Sequence, residues 1–234
     1  MNKRILLFGG GGSHDFKTIC PLLNDRFATA GGFAVDYVDG DCDVFRSERF
    51  APYDAAVVYH TGGQLPLESK RGLIEGVADG KGFVGIHGAA DSFSHSPEYR
   101  AMLGGHFRAH PFVREYIVSL ADTGHPVTRG IAGYSVKDWE KWPVHEYKVT
   151  DEQYLLDYDP RVHLLATTVF RGRTWPVAWA KTWGKGRVCY LALGHNIEAC
   201  RNPFFQQFLI NAVRWASEPE AETKPEPDPR FAIS

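Results

Sequence analysis

The 234-residue sequence contains no apolar run near the roughly 20 residues that a membrane-spanning helix needs, so no membrane partner is expected. It has no excess of one charge. Its 26 Lys and Arg stand against 28 Asp and Glu, which leaves no basic footprint for nucleic acid. Its four cysteines, Cys20, Cys42, Cys189 and Cys200, form no C-x-x-C pair, which argues against a disulfide framework or a thiolate zinc site. The opening MNKRILLFGGGG has only four consecutive apolar residues, too few for the apolar region of a secretory signal. A cytoplasmic location is the expectation. Residues 217–234, SEPEAETKPEPDPRFAIS, lack the apolar content to pack and hold five acidic residues against two basic ones. They read as a disordered tail behind one working domain, 1–216.

What the chain does have is histidine, ten in all, the side chain best suited to proton transfer near neutral pH and to metal ligation. Where these residues fall depends on the fold. Ile5–Phe8 is a continuous apolar run ended by Gly9–Gly12, the pattern of a buried parallel strand and its turn. Apolar residues at helical spacing follow from Asp15 to Ala30, with Gly31-Gly32 as the stop. Phe33–Val38, Asp54–Tyr59 and Gly82–Ile86 read as further strands, with a helix over Pro66–Ala78. This alternation predicts a parallel sheet with helices on both faces. After Leu103 the pattern changes: Val113–Leu120, His163–Val169, Val177–Lys181 and Arg187–Leu193 read as strands without long helices between them. The loop at Gly184-Lys185-Gly186 looks like a hairpin, and Pro203–Trp215 reads as a closing helix.

Ligands of open parallel sheets bind beyond the carboxyl ends of the strands. Four histidines fall there with glycine nearby: His14, His60, His87 and His195. Gly85-Ile86-His87-Gly88-Ala89-Ala90-Asp91 has the layout of a nucleophile elbow with an imidazole in place of Ser or Cys. Such a histidine can serve as general base, general acid or metal ligand, or simply hold a tight turn. The glycine run before His14 lacks both G-x-G-x-x-G and Gly-Lys-Ser/Thr, so no nucleotide cofactor is expected. Two further clusters stand out. Gly104–Pro111 reads as a loop offering His106, Arg108 and His110, and Asp151-Glu152-Gln153-Tyr154 supplies adjacent acids that could orient a histidine. Trp175, Trp179, Trp183 and Trp215 could stack on a sugar face or pack in the core.

In order, GGGGSHDF, GFVGIHGAAD, MLGGHFRAHP, DEQY, PVAWAKTWGKGRVCYLALGH and PFFQQFLINAVRWA resemble the ThuA-like (trehalose utilisation) family over about residues 3–216. The resemblance implies an α/β fold, a flavodoxin-like, class I glutamine amidotransferase-like three-layer sandwich. Its central sheet would be mostly parallel, with additional antiparallel strands in the second half. It also implies a role in catabolism of trehalose or other disaccharides, including sugars oxidised to a 3-keto form. By motif it singles out His14, Asp15, His87, Asp91, His106, His110, Glu152 and His195. Because His87 stands where an amidotransferase carries cysteine, glutaminase activity is not expected.

The expected activity is therefore hydrolysis, elimination or isomerisation of an oxidised glycoside. His87, His195, Glu152 and Asp91 would be catalytic, and His14, Asp15, His60, His106 and His110 would bind substrate. A divalent metal, zinc or similar, held by His87, His195 and Glu152 would fit that chemistry. The alternative is a saccharide-binding or regulatory module without catalysis. Both readings have a small-molecule saccharide as partner, and both leave a homo-oligomer open.

Overall fold

The computed structural model describes residues 2–131 and 145–218. Strands β1 (Lys3–Gly11), β2 (Phe33–Asp39), β3 (Ala55–Thr61) and β4 (Gly82–Ile86) alternate with helices α1 (Phe16–Ala30), α2 (Ser47–Phe50) and α3 (Leu67–Ala78). A tight turn at His87–Ala90 and helix α4 (Pro97–Leu103) follow. Next come β5 (Gly105–Ala109), β6 (Arg114–Leu120), β7 (Glu146–Asp151), β8 (Leu155–Tyr158), β9 (His163–Phe170), β10 (Arg173–Trp183) and β11 (Gly186–Leu191). Helices α5 (Ile197–Arg201) and α6 (Pro203–Ser217) close the described chain.

The main sheet runs β2-β1-β3-β4-β11-β10-β9-β6-β7. Its first five strands are mutually parallel, and the other four pair antiparallel. This is the mixed α/β arrangement expected from the sequence. The strands of the parallel half alternate between two apolar layers. Ile5, Leu7, Val57, Val84 and Ile86 face the layer covered by α1 and α6, while Leu6, Phe8, Val58 and Phe83 face the one covered by α2, α3 and α4. Burial on both faces explains why β1 and β3 read as continuous apolar runs. The Gly184-Lys185 hairpin forms between β10 and β11. Among the described residues no helix is long and apolar enough to cross a membrane.

Helices α2, α4 and α5 and strand β8 have no counterpart in the sequence reading, and three further elements differ from it. The Gly104–Pro111 stretch is not a loop: Gly105–Ala109 is β5, paired antiparallel with β8 as a separate ribbon. Strand β7 carries a clean exposed–buried alternation, but its inward series is Tyr147, Val149 and Asp151, and the acid at the third place masks the apolar pattern. Helix α6 runs to Ser217, one residue into the segment read as tail, and residues 219–234 lie outside the described residues.

Candidate functional site

Three of the four expected strand-end histidines converge. His14 follows β1, His87 begins the turn after β4, and His195 follows β11 by way of Gly194. These strands and β3 are sheet neighbours, so their loops open on one crevice. The ring centroid of His14 lies 4.8 Å from that of His87 and 5.2 Å from that of His195, and the latter two are 5.3 Å apart. Glu152 completes the group from the segment after β7. One ligand atom from each of His14, His87, Glu152 and His195 lies within 4.8 Å of every other.

His87 is fully buried and adopts φ +43, a conformation that non-glycine residues rarely take. The elbow inferred from the sequence is therefore present, with the imidazole at its apex. Gly88 beside it cannot carry a side chain, because a Cβ there would run into the Thr61 hydroxyl and the His60 carbonyl. The Nδ1 of His87 lies 2.7 Å from the Ala192 carbonyl oxygen, which can only accept, so Nδ1 carries a proton. Its Nε2 faces Glu152 Oε2, 3.3 Å away.

The remaining contacts of the group follow the same pattern. His14 Nδ1 is 2.6 Å from Thr61 Oγ1, leaving its other nitrogen free. His195 Nδ1 lies 3.2 Å from Glu152 Oε2 but off the angle of a hydrogen bond. It is a buried nitrogen without a hydrogen-bond partner among the described residues. Burial, reinforced by the imidazoles of His87 and His195, holds His14 down to about 3, so its ring is neutral over any physiological range. Burial also lowers His195. For Glu152, burial acts upward, but the histidines around it outweigh this and keep the carboxylate below its usual range.

Three imidazoles and one carboxylate bring ligand atoms within 4.8 Å of one another, and one buried nitrogen has no hydrogen-bond partner among the described residues. This donor set suits a divalent transition metal such as zinc. The backing contacts from Ala192 and Thr61 to the outer nitrogens of His87 and His14 are the supports that ligating histidines ordinarily have.

The other candidates lie outside this four-residue group. His110 sits half-exposed at the rim, its Nδ1 2.9 Å from both Glu152 Oε1 and the Pro111 carbonyl oxygen. His60 points to the opposite face of β3, stacked between Phe8 and Phe93 and bonded to Ser92 Oγ. Period-two alternation gives the site face to its neighbour Thr61 instead. His106 lies on the ribbon 3.6 Å from Asp157, away from the cluster. Asp15 caps α1 by accepting from the Thr18 N–H. Asp91 is half-buried at the end of the elbow turn, and burial raises its pKa. Tyr154 went unassigned in the sequence reading; its ring lies against His87 at a centroid distance of 3.9 Å. The DEQY motif was the only signal for it. Trp179 is fully buried beneath the ribbon, as core packing would have it.

A family model described as trehalose utilisation, ThuA, matches residues 4–216. No curated protein matches the sequence. Among solved structures, the chain is similar to a putative ThuA-like protein from Parabacteroides merdae, at 22% identity and a TM-score of 0.77. The match covers 93% of this chain and 90% of that one. A putative ThuA-like protein from Bacteroides uniformis matches at 19% identity and a TM-score of 0.73, over 92% of this chain and 91% of that one. A β-galactosidase from Rahnella sp. R3 is similar at 14% identity and a TM-score of 0.61, with 94% of this chain matched to 32% of that one. At these identities the likeness is one of fold.

Proposed function

The chain belongs to the ThuA (trehalose utilisation) family, and from that membership and the histidine–carboxylate cluster we propose that it is a metal-dependent enzyme cleaving 3-keto glycosides or disaccharides. The observation that carries the reading is the convergence of His14, His87, Glu152 and His195 on one point. A carbonyl at C3 makes the C2 proton acidic. When a base removes it, the electron pair forms the C1–C2 double bond and the C1–O bond breaks. The departing oxygen takes a proton, and water then adds across the double bond to complete a net hydrolysis. An ordinary glycoside has no such acidic proton, which makes the oxidised sugar the matching substrate class.

Each residue then has a task. His14, His87, Glu152 and His195 would hold a divalent cation such as zinc, which supplies Lewis-acid polarisation of the sugar carbonyl when bound. His87 cannot swing away, because its Nδ1 is fixed on the Ala192 carbonyl and Tyr154 covers its ring. His110, half-exposed beside Glu152, is placed to exchange protons with substrate and solvent. Asp91, with its pKa raised by burial, suits the acid that protonates the leaving oxygen. The protein assayed with a 3-keto glucoside and a divalent metal should release the aglycone. His87→Ala should lose that turnover while retaining the melting transition, and unchanged turnover would overturn the assignment.

A further inference from the structure

Asp151 is a site-proximal carboxylate that lies outside the four-residue cluster and that the sequence reading named only as one of two adjacent acids able to orient a histidine. It is 1% exposed, the last residue of β7, immediately before Glu152. Its two oxygens accept from three backbone N–H groups. Oδ1 takes those of Glu152 at 2.8 Å and His195 at 3.1 Å, and Oδ2 takes that of Gly194 at 2.7 Å. Two of the three donors belong to members of the histidine–carboxylate cluster, and the third belongs to the glycine preceding His195.

A neutral side chain would serve this arrangement poorly. An asparagine offers one acceptor oxygen and would turn its NH2 toward a backbone donor, whereas a carboxylate has acceptor positions for all three. No salt bridge from Lys, Arg or His reaches Asp151 among the described residues, so its burial relies on those N–H groups and on the neighbouring cluster. The segments it joins lie 43 residues apart in sequence and leave strands separated by three others in the sheet. Its side chain therefore ties the two segments to each other directly. On the far side, Gln153 anchors the same segment, accepting from Arg114 and donating to Thr168 Oγ1.

We propose that Asp151 is a positioning residue that clamps the Glu152 segment to the Gly194-His195 turn, setting the spacing at which Glu152 and His195 take a divalent cation. The inference rests on the metal reading proposed above. It predicts that Asp151→Asn changes the metal affinity and geometry of the site without touching a ligand.

Cobalt(II) added to the metal-stripped protein tests this, through its visible absorption bands and the dissociation constant they report. Relative to the unsubstituted protein, Asp151→Asn should bind cobalt roughly 10- to 100-fold more weakly, the usual cost of removing a partner behind the ligands. Its bands should also move in position or intensity. Thermal melts of both stripped proteins separate loss of fold from loss of site. A lowered melting temperature with unchanged cobalt affinity and bands would make Asp151 a structural anchor only and overturn the proposal. If Asp151→Asn does not fold, Asp151→Ser, which keeps a hydroxyl acceptor, is measured in the same way. Failure of both to fold would likewise assign a purely structural role and overturn it. A cobalt-free unsubstituted protein would overturn the metal reading itself, a result distinct from cobalt bound equally by both proteins.

Discussion

His87 Nε2 and Glu152 Oε2 face each other at 3.3 Å, with His87 Nδ1 committed to the Ala192 carbonyl on the other side; whenever the ring carries a single proton, the two facing atoms are both acceptors. A proton or a cation between them makes the contact favourable, and the buried Nδ1 of His195 beside them has no hydrogen-bond partner among the described residues.

Glu152→Gln therefore has two opposite expected effects. In stripped protein, the amide NH2 of the variant can donate to His87 Nε2, so its melting temperature should equal or exceed that of the unsubstituted protein. Added zinc should raise the melting temperature of the unsubstituted protein, since a ligand at 100 times its Kd contributes about 2.7 kcal/mol. The variant should show little of that gain. Equal gains in both proteins would remove Glu152 from the ligand set. Calorimetric melts with and without zinc provide the check.

Thr61→Val removes the hydroxyl behind His14 while keeping the side chain's shape. His14 Nδ1 would lose its 2.6 Å partner, and its ring would lose the constraint that aims the other nitrogen inward. Zinc affinity should fall by roughly 10- to 100-fold, with the stripped protein's unfolding changed by no more than about 1 kcal/mol. Isothermal titration against competing chelators measures the first quantity and urea denaturation the second.

His110→Gln should separate proton transfer from ligation. His110 touches Glu152 Oε1 from the rim but lies outside the four-residue group. Its removal should leave one metal per chain by elemental analysis, while kcat on a 3-keto glycoside drops by about 10²–10⁴, the range for loss of a general acid or base. Metal loss in this variant would make His110 a ligand instead.

The pH dependence of stability carries a signature from His60. Burial between Phe8 and Phe93 lowers its pKa to about 4, while the unfolded chain titrates near 6.5. Between those values the unfolded state binds the extra proton. The stabilisation is thus complete above about pH 6.5 and is lost as pH falls toward 4. His60→Phe, measured in chelator by urea denaturation across that window, should show a shallower decline. The difference in slope should approach one proton, about 1.4 kcal/mol per pH unit. Parallel curves would contradict the assignment.

Much of this site was legible in the sequence because strand ends are legible. Continuous apolar runs closed by glycine marked β1, β3 and β4, and the rule that ligands gather at their carboxyl ends led to His14, His87 and His195. The same rule selected His60, where the choice between adjacent residues turned on which face of β3 each occupies. A strand buried on both faces gives no polar alternation from which to read that, so Thr61 was passed over. The sequence reading named Asp151 only as one of two adjacent acids; its inward position on β7, where patterning looks for apolar residues, gave no sign of its hydrogen bonds to the Gly194-His195 turn. His106 read as a loop companion of His110, but β5 carries it onto a ribbon surface beside Asp157. Long-range register, which places the 151–154 segment against the 194–195 turn, has no local signal at all.

The most direct test of the account is a panel of disaccharides and glycosides, each in its ordinary and its 3-keto form, incubated with zinc-loaded protein and with the same protein after chelation. The account predicts cleavage of 3-keto members only, abolished by chelation and restored by metal. Cleavage of the ordinary sugars, or no turnover of any 3-keto member by protein carrying one metal per chain, would contradict it.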